Sequence, residues 1–211
     1  MSQPPTIECK PNGPYLVSNL GDFRNSRGES IPTKPVMALC RCGGSANKPF
    51  CDGTHQKNGF SGARQVDGSA DKRQSYRAAS RITIHDNRSI CAHAGYCSDH
   101  LSAVFRYKSE PWIDPDGGAV DAIVETIRHC PSGALSFTVD GVEGPDERAD
   151  PSIKVTKDGP YAVVGDIQLR EQSWGQGASK QRFTLCRCGG SKNKPFCDGT
   201  HWRIGFTDPK T

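Results

Sequence analysis

The sixteen residues CRCGGSANKPFCDGTH, from Cys40 to His55, return as CRCGGSKNKPFCDGTH from Cys186 to His201, and only Ala46 and Lys192 differ. Two stretches held this closely must fold into the same local geometry. The offset of 146 runs without a gap from Ile7 to Phe60 against Ile153 to Phe206. Along it Gly13-Pro14-Tyr15 meets Gly159-Pro160-Tyr161, Val17 meets Val163, and Gly59-Phe60 meets Gly205-Phe206. The chain therefore reads as a duplicated domain with an unrelated segment between the copies. Turn-rich stretches, VDGSADKRQ and VDGVEGPDERADP, bound that segment. This divides the chain into residues 1–69, 70–145 and 146–211.

Three small domains in 211 residues, with 34% apolar residues, 23 glycines and 15 prolines, have thin cores. Domains of that size need a staple, either disulfides or metal. Ten cysteines serve either purpose, and their pairing with nearby histidines in a repeated unit favours metal. Nothing in MSQPPTIECK reads as a signal or transit peptide, and no apolar run approaches the roughly 18 residues of a membrane span. The expectation is a soluble cytoplasmic protein in a reducing compartment. The net charge of +4 comes from scattered basic residues, which argues against a nucleic-acid partner.

In each copy, PYLVS or PYAVV reads as a strand after a Gly-Pro turn, and VMALC or RFTLC as a strand entering the repeated loop. Asp52 and Asp198 stand where an N-cap opens a short helix carrying the histidine. In the middle segment SYRAASRITIHD reads as one or two strands. DAIVETIRHC reads as a helix with Ile123, Ile127 and Cys130 on one face, ended by Cys130-Pro131. The fold class is α+β and β-rich.

Each motif spells C-x-C-x8-C-x3-H, with Cys40, Cys42, Cys51 and His55 in the first copy and Cys186, Cys188, Cys197 and His201 in the second. Three thiolates and one imidazole suit one tetrahedral zinc. They also suit a [2Fe-2S] cluster, one iron on the C-x-C pair and the other on the later Cys and His. Zinc knuckles more often have a wider gap between the paired cysteines, so the one-residue gap favours the cluster. Glycines after the pair let backbone N–H groups approach sulfide, and Pro49 and Pro195 stiffen the returning loop.

The motif C-x-C-x2-S-x3-P-x-C-D-G-T-H resembles the signature of the CDGSH iron-sulfur domain proteins, also called the NEET family, and occurs twice. The resemblance implies a [2Fe-2S] cluster per motif, held by three cysteines and a solvent-facing histidine. It also implies a small, mostly β fold in which two cluster units pair about a twofold axis, here as a pseudo-dimer within one chain and hence a monomer. A histidine ligand has a second ring nitrogen near its neutral pKa, so reduction and cluster release are expected to be proton-linked through His55 and His201.

The middle segment holds Cys91-Ala-His-Ala-Gly-Tyr-Cys97 and Cys130-Pro-Ser-Gly-Ala-Leu. It resembles the divergent single-cluster ferredoxin domain, marked by C-x5-C and CPSGAL, which implies a small ferredoxin-like α+β fold. Bacterial ferredoxins use C-x2-C-x2-C and a later Cys-Pro, and the second ligand falls here at Ala94. Cys91, Cys97 and Cys130 then suit a [3Fe-4S] cluster directly, or a [4Fe-4S] cluster with water, His93 or another donor at the fourth iron. A cluster-free domain with buried thiols is the alternative. His93 lies one position short of the missing ligand. Cys9, opposite Val155 in the repeat, reads as a free thiol; His85, His100 and His129 read as surface or packing residues. Trp112 reads as core against the helix, or as a docking residue if exposed.

No nucleotide-binding glycine loop and no Ser-His-Asp set is present, so no enzyme activity is expected. Electron transfer is the leading expectation, with a redox partner protein. Cluster donation to an apo-protein acceptor, redox or pH sensing, and a metal-stapled interaction module are the alternatives.

Overall fold

The computed structural model describes residues 3–66, 72–79 and 81–210, so the expected boundary at 69/70 lies outside the described residues. The first copy forms β1 (Thr6–Cys9), β2 (Tyr15–Ser18), β3 (Asp22–Arg24) and β4 (Val36–Leu39). The middle segment forms β5 (Gln74–Arg77), β6 (Ile82–Asp86), α1 (Tyr96–His100), α2 (Val120–Arg128), β7 (Leu135–Val139) and β8 (Val142–Glu143). The second copy forms β9 (Ser152–Val155), β10 (Tyr161–Val164), β11 (Gln168–Leu169), β12 (Arg182–Leu185) and α3 (Thr200–Arg203). The protein is β-rich with few helices, as the sequence suggests, and none of its described helices is long and apolar enough to cross a membrane.

The Gly-Pro turn sets the hairpin in each copy. Lys10 N donates to Pro14 O at 3.0 Å and Thr156 N to Pro160 O at 3.1 Å, closing the turn so that Tyr15 and Val17, like Tyr161 and Val163, point inward. Each hairpin then borrows a strand. The sheets run β11-β1-β2-β4 and β12-β10-β9-β3, so β11 of the second copy pairs in parallel with β1, and β3 of the first with β9. Phe23 stands opposite Ile153, and Ile7 opposite Leu169. Neither sheet is complete without the other copy, and the buried side chains of Ile7, Phe23, Leu39, Ile153, Phe183 and Leu185 form their cores.

The middle segment builds its own antiparallel sheet, β5-β6-β7-β8. SYRAASRITIHD forms two strands, β5 and β6. Ile123 and Ile127 are the buried face of α2, and Cys130 follows just beyond its end, also buried. Trp112 packs edge-on to Tyr76 and against Phe105, with the Arg88 guanidinium 4.2 Å over its ring. His85 is a packing residue whose ring nitrogens lie 2.8 Å from Ser75 Oγ and 2.7 Å from Thr138 Oγ1. His100 and His129 stack on Tyr96, with ring centroids 3.8 and 5.0 Å away.

Candidate metal centres

Strand β4 delivers Cys40 into the first loop and β12 delivers Cys186 into the second. The loop folds back on its own strand: Cys40 N donates to Pro49 O at 2.8 Å and Cys51 N to Ala38 O at 2.8 Å, matched by Cys186 N to Pro195 O at 2.8 Å and Cys197 N to Thr184 O at 2.9 Å. Ser45 Oγ donates to Phe50 O and Ser191 Oγ to Phe196 O, both at 2.7 Å. Asp52 and Asp198 are not N-caps as the sequence suggested. Gly53 and Gly199 occupy that position with φ of 88° and 78°, a left-handed backbone that favours glycine. The carboxylate one residue earlier joins two parts of the loop: Asp52 accepts from Thr54 N and Ala46 N, and Asp198 from Thr200 N and Lys192 N. Almost every residue of the sixteen thus has a structural partner, which accounts for the near-identity of the copies.

The four donors of each motif fall into two pairs. Cys40 and Cys42 Sγ are 3.9 Å apart, Cys186 and Cys188 Sγ 3.8 Å, and the Cys51 and Cys197 sulfurs each lie 3.4 Å from Nδ1 of His55 and His201. Two thiolates at about 2.3 Å from one tetrahedral metal sit about 3.8 Å apart, and a thiolate and an imidazole slightly closer, so each pair fits one metal. Backbone N–H groups support the sulfurs, with Gly44 on Cys42, Gly53 on Cys51 and Gly190 on Cys188, all at 3.4 Å. Among the described residues no three His, Cys, Asp or Glu donors converge on a single-ion position. Burial pushes the Cys40 thiol up to about 11 and the Cys197 thiol far up, so loading either site must release protons.

The two loops touch back to back. Cys42 and Cys188 form an isolated antiparallel bridge, and a Cβ on Gly43 or Gly189 would lie 2.5 Å from the carbonyl oxygen of Cys188 or Cys42. Among the described residues, the hydrogen bonds from the middle segment to a motif loop go to the second. Trp202 Nε1 donates to His93 O at 3.2 Å, Asn193 Nδ2 to Ser89 O at 2.8 Å, and a Cβ on Gly199 would lie 2.3 Å from His93 Cδ2. The equivalent Gly53 faces open space. His201 is consequently only 5% exposed, which corrects the expectation of two solvent-facing histidines: His55 alone is partly exposed. Burial and, secondarily, neighbouring His93 and Arg187 lower the His201 pKa, against the opposing pull of Asp198.

In the middle segment Cys91 follows a single 3-10 turn after β6, Cys97 lies in α1, and Cys130 follows α2. Burial, then the adjacent Cys130, raises Cys91 to about 12 and Cys97 to about 11, so Cys130 is the common neighbour of the other two thiols. Ser132 Oγ lies 3.6 Å from Cys130 Sγ. Exposed Ala94 supplies no ligand, and the exposed His93, at a φ of 53°, packs on Gly199. None of the ten cysteines is in a disulfide.

Two pairs of functional residues escaped the sequence reading. Tyr15 and Tyr161 cross between the copies to the opposite motif, and Arg41 and Arg187, between the paired cysteines, are buried. Their recurrence at the 146 offset was the available signal.

Comparison with known proteins agrees with this arrangement. The family described as iron-binding zinc finger CDGSH type matches residues 12–56 and again 158–202, and the family described as divergent 4Fe-4S mono-cluster matches residues 78–140. The uncharacterized protein YjdI of Escherichia coli K12 is 40% identical over 57 residues, covering 27% of this chain and 75% of that protein, and its counterpart in strain O157:H7 matches equally. No solved structure matches the chain. The chain thus belongs to the CDGSH-type iron-binding family, with two such domains on either side of a divergent 4Fe-4S mono-cluster domain.

Proposed function

We propose that this iron-sulfur protein transfers electrons through three centres in a row. Each CDGSH motif would hold a [2Fe-2S] cluster: Cys40 and Cys42, then Cys51 and His55, in the first; Cys186 and Cys188, then Cys197 and His201, in the second. Cys91, Cys97 and Cys130 would hold a [3Fe-4S] or [4Fe-4S] cluster. The pairing of donors and the lack of a single-ion position favour two irons per motif over one zinc. The reciprocal strand exchange supports an intrachain pseudo-dimer, and the middle α+β sheet supports a ferredoxin-like domain.

The observation that carries the reading is the contiguity of the three donor sets, with Cys42 on Cys188 and His93 on Gly199. Iron-sulfur clusters accept and release single electrons when bound. The chain's own part is to hold the thiolates, direct N–H groups at them and keep water from the second site. Burial of the second motif between the other two favours outward exchange at the ends of the row, at the first motif and at the middle domain. A redox partner protein would dock there. Ten unbridged cysteines suit a reducing compartment such as the cytoplasm, and no enzyme activity is proposed. Partial exposure of His55 favours a second reading, donation of the first cluster to an apo-protein.

Iron and sulfide counts on anaerobically purified protein, read beside paramagnetic resonance of the oxidised and reduced forms, test this. About seven or eight irons per chain with a third signal support the three-centre carrier. About four irons with only the paired signal remove the middle domain from the route and leave cluster donation.

A further inference from the structure

Each motif places an arginine between its paired cysteines, and the two are held differently. Arg187 donates from Nε to Gly159 O at 2.8 Å and from Nη2 to Thr156 O at 2.9 Å, while Nη1 pairs with the buried Asp208 carboxylate. Arg41, 4% exposed, donates from Nη1 to Lys10 O at 3.3 Å and from Nη2 to Gly62 O at 3.1 Å. Its Nε has no hydrogen-bond partner, and no described carboxylate pairs with it. Gly62 stands where Asp208 stands in the second copy, 146 positions on. The backbone confirms the equivalence: Gly62 N donates to Asn12 Oδ1 at 3.0 Å and Asp208 N to Asp158 Oδ1 at 2.7 Å.

Beside Gly62, where Arg41 Nη1 lies 2.6 Å from the place a Cβ would take, a cavity of about 320 Å³ opens at the junction of the two copies, lined among others by Arg41, Arg64, Lys194, Ser173, Glu171 and Cys9. Arg41 and Lys194 there stand with one lining carboxylate, Glu171. Burying a guanidinium without a counter-charge is costly, and a fixed fork of N–H donors is suited to a planar carboxylate or a phosphate. Lys194 is also buried, with Nζ held by Ser191 O at 2.6 Å, and Arg64 Nη1 donates to Ser173 Oγ at 3.3 Å. The cations are thus anchored before any ligand arrives, which reduces the ordering cost of binding.

We propose that this cavity is a binding site for a small dianionic oxyanion, a phosphate monoester or a dicarboxylate, whose oxygens replace the Asp208 carboxylate beside Arg41. The Arg41 and Lys194 N–H groups suit the oxygens of such an anion, and the volume exceeds what one carboxylate fills. The cavity lining contains none of the proposed cluster donors, although Arg41 stands between Cys40 and Cys42.

Calorimetric titration of the holoprotein with inorganic phosphate and, separately, with succinate tests the site. The expected result is saturable binding of at least one, with a Kd of about 1 mM or tighter; whichever binds more tightly identifies the ligand class. Gly62→Asp supplies a carboxylate internally and displaces Arg41 Nη1, which a Cβ there would meet at 2.6 Å, so it should lose binding at least about tenfold. Arg64→Gln, which leaves the buried side chains in place, should weaken binding about threefold to tenfold and serves as the decisive variant if Gly62→Asp does not fold. Absence of saturable binding by both anions, or unchanged affinity in Arg64→Gln, overturns the proposal.

Discussion

Tyr15 and Tyr161 meet edge to face with ring centroids 6.1 Å apart, and each hydroxyl donates to the motif of the other copy. Tyr15 Oη reaches Cys186 O at 2.9 Å and Pro195 O at 3.1 Å; Tyr161 Oη reaches Cys40 O and Pro49 O, both at 2.9 Å. The two centres are therefore braced crosswise. Tyr15→Phe leaves the buried Cys186 carbonyl without this donor and should destabilise the fold by about 1–2 kcal/mol. The spectroscopic change should fall on the second centre, although the mutation lies in the first copy, and Tyr161→Phe should do the converse. Paramagnetic resonance of the two variants, beside their denaturation midpoints, checks the crossing; a change confined to the mutated copy's own centre contradicts it.

The seam between His93 and Gly199 predicts different cluster lifetimes. Alanine at Gly53 or Gly199 meets the same left-handed backbone penalty, of about 1 kcal/mol. Only at Gly199 does the new methyl also collide with His93 and push the middle domain off the second centre. Gly199→Ala should therefore speed cluster loss from the second centre several-fold more than Gly53→Ala speeds loss from the first. In the unmutated protein the first centre, with partly exposed His55, should empty sooner. Time courses of visible absorbance after chelator addition, with signals assigned to each centre, measure both rates.

Those two predictions rest on features of unequal visibility in the sequence. The loop that carries the eight proposed donors was legible because it is nearly all hydrogen-bonded to itself and recurs as one block. The strands Tyr15–Ser18 and Val36–Leu39 were legible because Gly-Pro and Cys punctuate them. Strands β3 and β11 were not, since three and two residues carry too little pattern and their pairing partners lie in the other copy. Burial of His201 was equally hidden, because it depends on where His93 docks and not on any residue of the motif. The Gly62–Asp208 difference had a signal, one residue pair in a repeat whose clear alignment ends at Phe60 and Phe206, but its meaning required the arginine geometry.

Asp86 predicts a pH dependence in the middle domain. It is 2% exposed, its Oδ1 has no hydrogen-bond partner, and burial raises its pKa from 3.8 to about 6 against the pull of Arg88 and a hydrogen bond from Trp112. A folded-state value above the unfolded one contributes stability that is full below 3.8 and is lost as pH rises through about 6. The loss amounts to about 3 kcal/mol, from roughly two pKa units. Neighbouring His85 acts oppositely: burial lowers its pKa, so its contribution is present above 6.5 and is lost as pH falls. Asp86→Asn removes only the first effect. The stability of that variant relative to wild type should rise between pH 4 and 7 by about 2–3 kcal/mol in denaturant titrations; a constant difference contradicts the assignment.

The Arg187–Asp208 pair gives the sharpest stability prediction. Both side chains are almost wholly buried, and the guanidinium also lies 5.0 Å from the Phe206 ring centroid and 5.8 Å from that of Tyr161. Asp208→Ala removes the carboxylate and leaves the buried Arg187 cation without that counter-charge. Breaking a buried pair from one side typically costs about 3–5 kcal/mol, because the remaining charge loses its compensation. The variant also recreates in the second copy what Gly62 provides in the first. If the first copy tolerates its unpaired Arg41 through an anion in the cavity, added phosphate or succinate should restore part of the stability lost in Asp208→Ala. Alanine there frees the space of the carboxylate beside Arg187, and differential scanning calorimetry with and without the anions measures both the loss and its recovery. A loss below about 1 kcal/mol would show that the buried pair contributes no more than a surface one.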